Sequence, residues 1–436
     1  MSVRHFLLWA TLLLPCVLGG CESVARGIAQ GVMGAMKEPG EDTRLCDVEG
    51  KPFGGVLPYL VKQDGLPPIG EAVGERPEAK IIYVHGIGTH EPGHGTALML
   101  NLANALDLDV RSPRPKRIVI ASPAFSDKPL GELRITRLTN AERQRDLLFY
   151  ELTWSPITQS EKDILAFDKD PLYQMRRTSL NQALRRIIND IAPDPLAYQG
   201  DKREPILTSI SQSMCWALST SWSDLPLETA GKSCGPDMPG FGSRLAIDDF
   251  VMISHSLGSR ATIDAMQRLA NLDLQHDPRT IAVARDFKTR KLQIFMLSNQ
   301  LPLLESGREP QTVLGAADQY CPDGASKASQ RFFAQTELIA FSDPNDLMSY
   351  PVPDLFAERY IDSRLCPAMT SVTINIARVS SLLGLGEAAN PLKAHSAYDV
   401  DERVGALIAR GAGNPDVAPI VADRCTFRPT ADDLMQ

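Results

Sequence analysis

The chain has 436 residues, with 45 lysines and arginines against 53 aspartates and glutamates, a formal charge of −8. No basic run interrupts that acidic balance, which argues against a nucleic-acid partner. A hydrophobic content of 43% with 22% charged residues is ordinary for a globular protein with a sizeable core, and the length suits one large α/β domain carrying an insertion.

The N-terminus reads as an export signal. Arg4 precedes an apolar stretch, Phe6 to Leu14, that ends at Pro15. Its length is that of a secretory h-region and too short to span a bilayer. The stretch leads into Val17-Leu18-Gly19-Gly20-Cys21, which resembles a lipobox, with a leucine three residues before the cysteine and small residues between. The resemblance implies a signal peptide over residues 1–20, cleavage before Cys21 and acylation of that cysteine. Several acyl chains anchor a protein to a membrane far more firmly than one. Glu22, rather than aspartate, follows, which favours the outer membrane of a bacterial envelope, facing the periplasm. Residues 21–52, with Gly27, Gly31, Gly34, Pro39 and Gly40, read as a lipidated tether, and 53–436 as the globular domain. With Cys16 removed and Cys21 acylated, six cysteines remain: Cys46, Cys215, Cys234, Cys321, Cys366 and Cys425. An even number in an exported chain predicts up to three disulfides. Fifteen pairings are open; Cys215 with Cys234, both in one insertion, is preferred. No spacing of cysteines and histidines suggests zinc.

Residues 80–84 (Lys-Ile-Ile-Tyr-Val) form a β-branched strand leading into His85-Gly86-Ile87-Gly88. His90, His94 and Glu91 lie in the same loop. A metal cluster there is weighed and set aside, because a Gly/Pro-rich loop does not promise convergent imidazoles. His85 is expected to bond the loop backbone. Leu98, Leu102, Ala105 and Leu106 mark a helix, and 147–154 the next central strand. The connection over 155–243 must contain structure of its own. Leu180, Ala183, Leu184, Ile187, Ile188 and Ile191 form a strongly amphipathic helix. Ile206, Ile210 and Met214 mark another, running into Trp216. Both read as a cap. The apolar face of the first is taken as packed core; membrane contact is the alternative, given Arg176, Arg177, Arg185 and Arg186 nearby.

The next stretch, Asp248-Asp249-Phe250-Val251-Met252-Ile253-Ser254-His255-Ser256-Leu257-Gly258-Ser259, organises the rest. Phe250 to Ile253 has the length of a buried strand. A helix begins directly after Ser256, with Ala261, Ala265 and Leu269 on one stripe and Met266 and Ala270 beside it. Later strands fall at 291–297, 337–341 and 373–377. The first of these three lies beyond the helix that follows Ser256. The second runs into Ser342-Asp343-Pro344-Asn345-Asp346. His395 follows the last, before a helix marked by Val404, Leu407 and Ile408.

A strand turning sharply into a helix around small-x-Ser-x-Gly is the nucleophile elbow, and it resembles that of the α/β-hydrolase superfamily. Ser254 stands where glycine is usual. The order Ser256, aspartate, His395 is also the superfamily's. The resemblance covers roughly residues 80–410. It implies a mostly parallel central sheet with a helical cap insertion, Ser256 as nucleophile, His395 as base, and Asp346 as acid with Asp343 as alternative. Asp346 better fits a pattern in which the acid precedes a small apolar run and a proline; Asp343 is placed to cap a turn. The N–H groups of Ile87 and Leu257, among Gly86 and Gly88, would form the oxyanion hole. The implied activity is that of a lipid-anchored serine esterase or lipase acting on carboxylic esters through an acyl-enzyme, without metal or organic cofactor. The rival reading is a non-catalytic envelope lipoprotein using the same fold as a binding module.

Overall fold

The computed structural model describes residues 44–429 apart from 61–76, 113, 127, 141–144, 170–176, 273–276, 307, 309 and 382–386. The signal peptide, the lipobox, Cys21 and Arg176 lie outside the described residues.

The main sheet has 12 strands. In chain order they are β1 (Cys46–Gly50), β2 (Ala79–Val84), β3 (Asp109–Val110), β4 (Lys116–Ala121), β5 (Pro129–Thr139), β6 (Leu147–Thr153), β7 (Glu228–Lys232), β8 (Asp249–His255), β9 (Lys291–Leu297), β10 (Gln335–Ser342), β11 (Pro367–Ile374) and β12 (Cys425–Arg428). Across the sheet the order is β12-β1-β11-β10-β9-β8-β2-β6-β5-β4-β7, with β3 beside β5. The central six, β11 to β6, run parallel. β5 and β4 continue antiparallel on one side, and β1 is antiparallel to β11 on the other. The helices around the site are α1 (Thr96–Leu106), α2 (Gln159–Ile164), α3 (Ser179–Ile191), α4 (Pro193–Gln199), α5 (Arg203–Ser219), α6 (Leu257–Ala270), α7 (Pro391–Ser396) and α8 (Glu402–Arg410).

Period-2 alternation along the strands divides the core into two layers. Ile82 and Val84 of β2 pack with Ile206 and Ile210 of α5 and Ala261 and Ala265 of α6. Their neighbours Ile81 and Tyr83 pack on the opposite face with Leu98 and Leu102 of α1 and Val404 and Leu407 of α8. A sheet covered on both faces needs apolar residues at successive positions, which is why β2, β6, β8, β9 and β10 each carry an apolar run of four residues. Each such side chain, fully buried, contributes about 1.5–3 kcal/mol. The chain is therefore an α/β protein with a mixed, mostly parallel sheet between helical layers.

Several expectations need correction. The tether does not extend to residue 52: Cys46–Gly50 pairs with both β11 and β12. Its single β-branched residue, Val48, gives little local signal. The partner strands and the Cys46–Cys425 disulfide, closing a separation of 379 residues, hold it in place. The strand expected at 373–377 is β11, begun earlier at Pro367; burial alternates along it, so no apolar run marks it. The β4–β5 hairpin was not anticipated. In the 155–243 stretch, α5 is not a cap: Ile206, Ile210, Met214 and Trp216 are buried in the sheet-face core. The apolar face of α3 is not core, since Ala183 is its one buried residue. The other disulfides are Cys215–Cys234, the preferred pair, and Cys321–Cys366.

Candidate active site

β8 ends at His255 and α6 begins at Leu257. Ser256, between them, has φ 55° and ψ −126°, a backbone state that costs a side-chain-bearing residue on the order of 1–3 kcal/mol. The surroundings enforce it. Ser256 N–H donates to Leu297 O at 2.9 Å, and Ser259 donates to Ser256 O through its N–H at 2.9 Å and its hydroxyl at 2.6 Å. A Cβ at Gly258 would stand 2.6 Å from the Val84 and His85 carbonyl oxygens, and one at Gly86 would stand 2.5 Å from Ser256 Cβ. Only glycines let these segments approach so closely. Ser254, the departure from the usual glycine, is buried and directs its hydroxyl toward Phe295 O at 3.4 Å.

His395 reaches Ser256 from α7, a short helix begun by Asn390, whose side chain accepts from the N–H groups of Leu392 and Lys393. His395 Nε2 is 3.1 Å from Ser256 Oγ, and Nδ1 is 3.0 Å from each Asp346 carboxylate oxygen. An Nδ1–H pointing at a carboxylate leaves the Nε2 lone pair facing the serine hydroxyl. Burial alone would raise the Asp346 carboxyl. The hydrogen bond and charge of His395, the Met348 N–H and the Ser298 hydroxyl outweigh it and hold the group down at about 2. The alternative acid is engaged elsewhere: Asp343 accepts from Ile376 N–H at 2.7 Å, Ala377 N–H at 2.9 Å and Asn345 N–H at 2.7 Å. It ties together the loops that carry the site, and Asp346 is the carboxylate at the imidazole.

Two further side chains border the cluster. Ser298, at φ 50° just past β9, donates to Asp346 Oδ2 at 2.7 Å and lies 2.8 Å from His395 Nδ1. Its sequence signal was only positional, as the first residue beyond the carboxyl end of a parallel strand, where such sheets place their crevice. His255 donates from Nε2 to His395 O at 2.8 Å. Burial, reinforced by His395, lowers its pKa to about 3, so the imidazole stays neutral near neutrality.

The loop after β2 lies against Ser256. His85 Nδ1–H donates to Gly86 O at 2.8 Å, while Nε2 accepts from Trp154 N–H at 3.0 Å and Ser155 N–H at 3.3 Å. This is the expected backbone role, and burial drives the His85 pKa well down. Helices of the 155–199 stretch grip the next residues. Gly88 N–H donates to Asp194 at 2.6 Å, and Thr89 N–H to Asp190 at 3.2 Å. Asp194 is itself held by Thr158 Oγ1 at 2.6 Å and Lys162 Nζ at 3.1 Å. Gly88 N–H is thereby committed to Asp194. Leu257 is the first residue of α6, where helix N–H groups have no intrahelical acceptor and the helix end is positive. His85, His90 and His94 do pack together, with ring centroids 4.2, 4.9 and 5.0 Å apart. Among the described residues no group of three His, Cys, Asp or Glu side chains is arranged to hold a metal ion.

No family model, curated protein or solved structure matches this chain. The fold and site define its class by themselves: an α/β protein whose mixed sheet brings Ser256, His395 and Asp346 together at the carboxyl ends of parallel strands.

Proposed function

We propose that this chain is a serine hydrolase of the α/β-hydrolase type, cleaving carboxylic esters through an acyl-enzyme and anchored by Cys21 to the periplasmic side of a bacterial outer membrane. The observation that carries the reading is the contact line Ser256–His395–Asp346, at 3.1 and 3.0 Å, with the serine held at positive φ in the strand-to-helix turn. The order of the six parallel strands and the place of Ser256 directly after β8 favour the same superfamily.

Ser256 Oγ attacks the ester carbonyl carbon while its proton passes to His395 Nε2. The carbonyl oxygen, now negative, accepts from the N–H groups of Ile87 and Leu257. Collapse of the tetrahedral intermediate breaks the bond to the alcohol, which leaves with the proton from His395. Water repeats the sequence on the acyl-enzyme, giving the carboxylic acid and restoring Ser256. Asp346 fixes the imidazole tautomer and stabilises the imidazolium. No step calls for a metal or organic cofactor. A membrane or envelope ester is the substrate class that the anchor favours.

One observation favours the non-catalytic reading: Ser256 has no exposed surface. A fluorophosphonate probe separates the two. Labelling of the wild type, lost in Ser256→Ala and His395→Ala, supports the hydrolase. An unlabelled wild type, in detergent as well as in buffer, refutes it and leaves the binding module.

A further inference from the structure

β8 and β9 are adjacent and parallel, with His255 opposite Leu297. The residue that follows each is a serine in the left-handed region: Ser256 at φ 55° and Ser298 at φ 50°. A residue other than glycine holds such a backbone only where its surroundings fix it, and such residues gather at functional sites. Ser256 is the nucleophile of the proposed reaction. Ser298 takes no part in the steps given above, yet it is fully buried. Its hydroxyl touches the other two members of the cluster, 2.7 Å from Asp346 Oδ2 and 2.8 Å from His395 Nδ1.

The protons of this triangle follow by elimination. Asp346, held down at about 2, is ionised at neutral pH and only accepts, so the one hydrogen of the Ser298 hydroxyl goes to it. The Ser298 oxygen then turns a lone pair toward His395. Nδ1 faces three oxygens, two of the carboxylate at 3.0 Å and that of Ser298 at 2.8 Å, and none of them has a proton left to give. Nδ1 must carry the proton itself, which leaves Nε2 bare toward Ser256 Oγ at 3.1 Å. Asp346 alone would favour the same tautomer, but a hydroxyl bonded to both groups also ties the acid to the base. The turn that carries this hydroxyl is anchored on every side. Leu297 O accepts from Ser256 N–H at 2.9 Å, and Asn299 donates through its N–H to Phe341 O at 2.8 Å and through its amide to Tyr350 O at 2.9 Å. Gln300 N–H donates to Ser259 Oγ at 3.2 Å. Residues 297–300 thus bond to the nucleophile, to both sides of the acid's loop and to the first turn of α6.

We propose that Ser298 is a positioning residue, whose single hydroxyl locks the His395 tautomer and the Asp346 carboxylate together, a role that rests on the proposed hydrolase function of the same site. It touches no substrate and acts through the imidazole, from the Nδ1 side.

The test is Ser298→Gly, which removes the hydroxyl while suiting the backbone, since glycine meets no steric cost at φ 50°. Thermal unfolding is therefore expected to stay near that of the wild type. On a short-chain chromogenic ester kcat is expected to fall about 10- to 100-fold, the weight of one hydrogen bond to a charged group, with KM unchanged. In an Asp346→Asn chain, whose tautomer is already lost, the same change is expected to lower kcat at most about twofold further. Proton NMR with isotope-labelled histidine follows the lock directly. The downfield His395 Nδ1–H resonance, identified by its loss in Asp346→Asn, is expected to move in Ser298→Gly. A near-normal kcat in Ser298→Gly overturns the proposal, and so does a loss matched by a rise in KM or by a fall in thermal stability. The full loss persisting in the Asp346→Asn chain, or an unmoved resonance, overturns it as well. The resonance needs no turnover. A wild type that a fluorophosphonate leaves unlabelled would therefore sink the hydrolase reading, while the resonance still decides whether Ser298 holds the imidazole.

Discussion

Two aspartates three residues apart, Asp343 and Asp346, are both buried, and the structure assigns them different work. Asp346→Asn keeps the volume of the side chain and can still accept from Met348 N–H, which now donates to Oδ1 at 2.9 Å. Its amide nitrogen then faces His395 Nδ1 as a donor. The imidazole must answer with a lone pair at Nδ1, which moves its proton to Nε2, opposite the Ser256 hydroxyl. A base carrying its proton on the wrong nitrogen cannot accept one from serine, and kcat is expected to fall about 10⁴-fold with little change in KM. Asp343→Asn acts elsewhere. Its Oδ2 accepts the N–H groups of Ile376 and Ala377, and an amide cannot satisfy these together with the Asn345 N–H. The expected cost is about 1–3 kcal/mol of stability, with kcat on a short-chain chromogenic ester held within a few-fold. Kinetics on that ester, paired with thermal unfolding of each variant, separate the two roles. A folded Asp346→Asn variant with near-normal kcat, or a folded but inactive Asp343→Asn variant, would refute the assignment.

Two partly buried histidines make stability depend on pH. His90 and His255 titrate at about 4 and about 3 in the folded chain, chiefly because burial disfavours the cation, against 6.5 when unfolded. Below about pH 6.5 the unfolded chain binds the extra protons, so stability is full above that value and is lost as pH falls toward the folded values. The loss is on the order of 2 kcal/mol for each histidine by about pH 5. Urea unfolding at about pH 7.5 and about pH 5 checks it, and equal stabilities at the two would contradict it. Gly86→Ala places a methyl carbon 2.5 Å from Ser256 Cβ and 2.8 Å from His255 O. It is expected to lower kcat about 10²-fold through displacement of the nucleophile, whereas Gly54→Ala, with nothing within 4 Å, leaves kcat unchanged.

The sequence by itself determined the elements whose signal is local. The apolar runs of β2, β6, β8, β9 and β10 were legible because two-sided burial demands hydrophobic residues at every position. Ser256 and Gly258 were legible because a tight strand-to-helix turn admits few residue types. The chain order of Ser256, Asp346 and His395 came with the resemblance those residues carry. What the sequence left open involves contacts between distant residues. Asp343 and Asp346 are equivalent as letters; only the approach of α7 brings His395 to one and the N–H groups of Ile376 and Ala377 to the other. Ser298 has no motif, because its partners lie 48 and 97 residues away. β1 has almost no strand propensity and exists through its two neighbours and a disulfide. α3 has a strongly one-sided apolar face, whereas the buried residues of α5 run around most of its circumference; α5 lies buried on the sheet while Leu184 and Ile188 of α3 stay exposed. An amphipathic pattern specifies that a helix has an apolar face; only the tertiary packing decides whether the protein itself covers it.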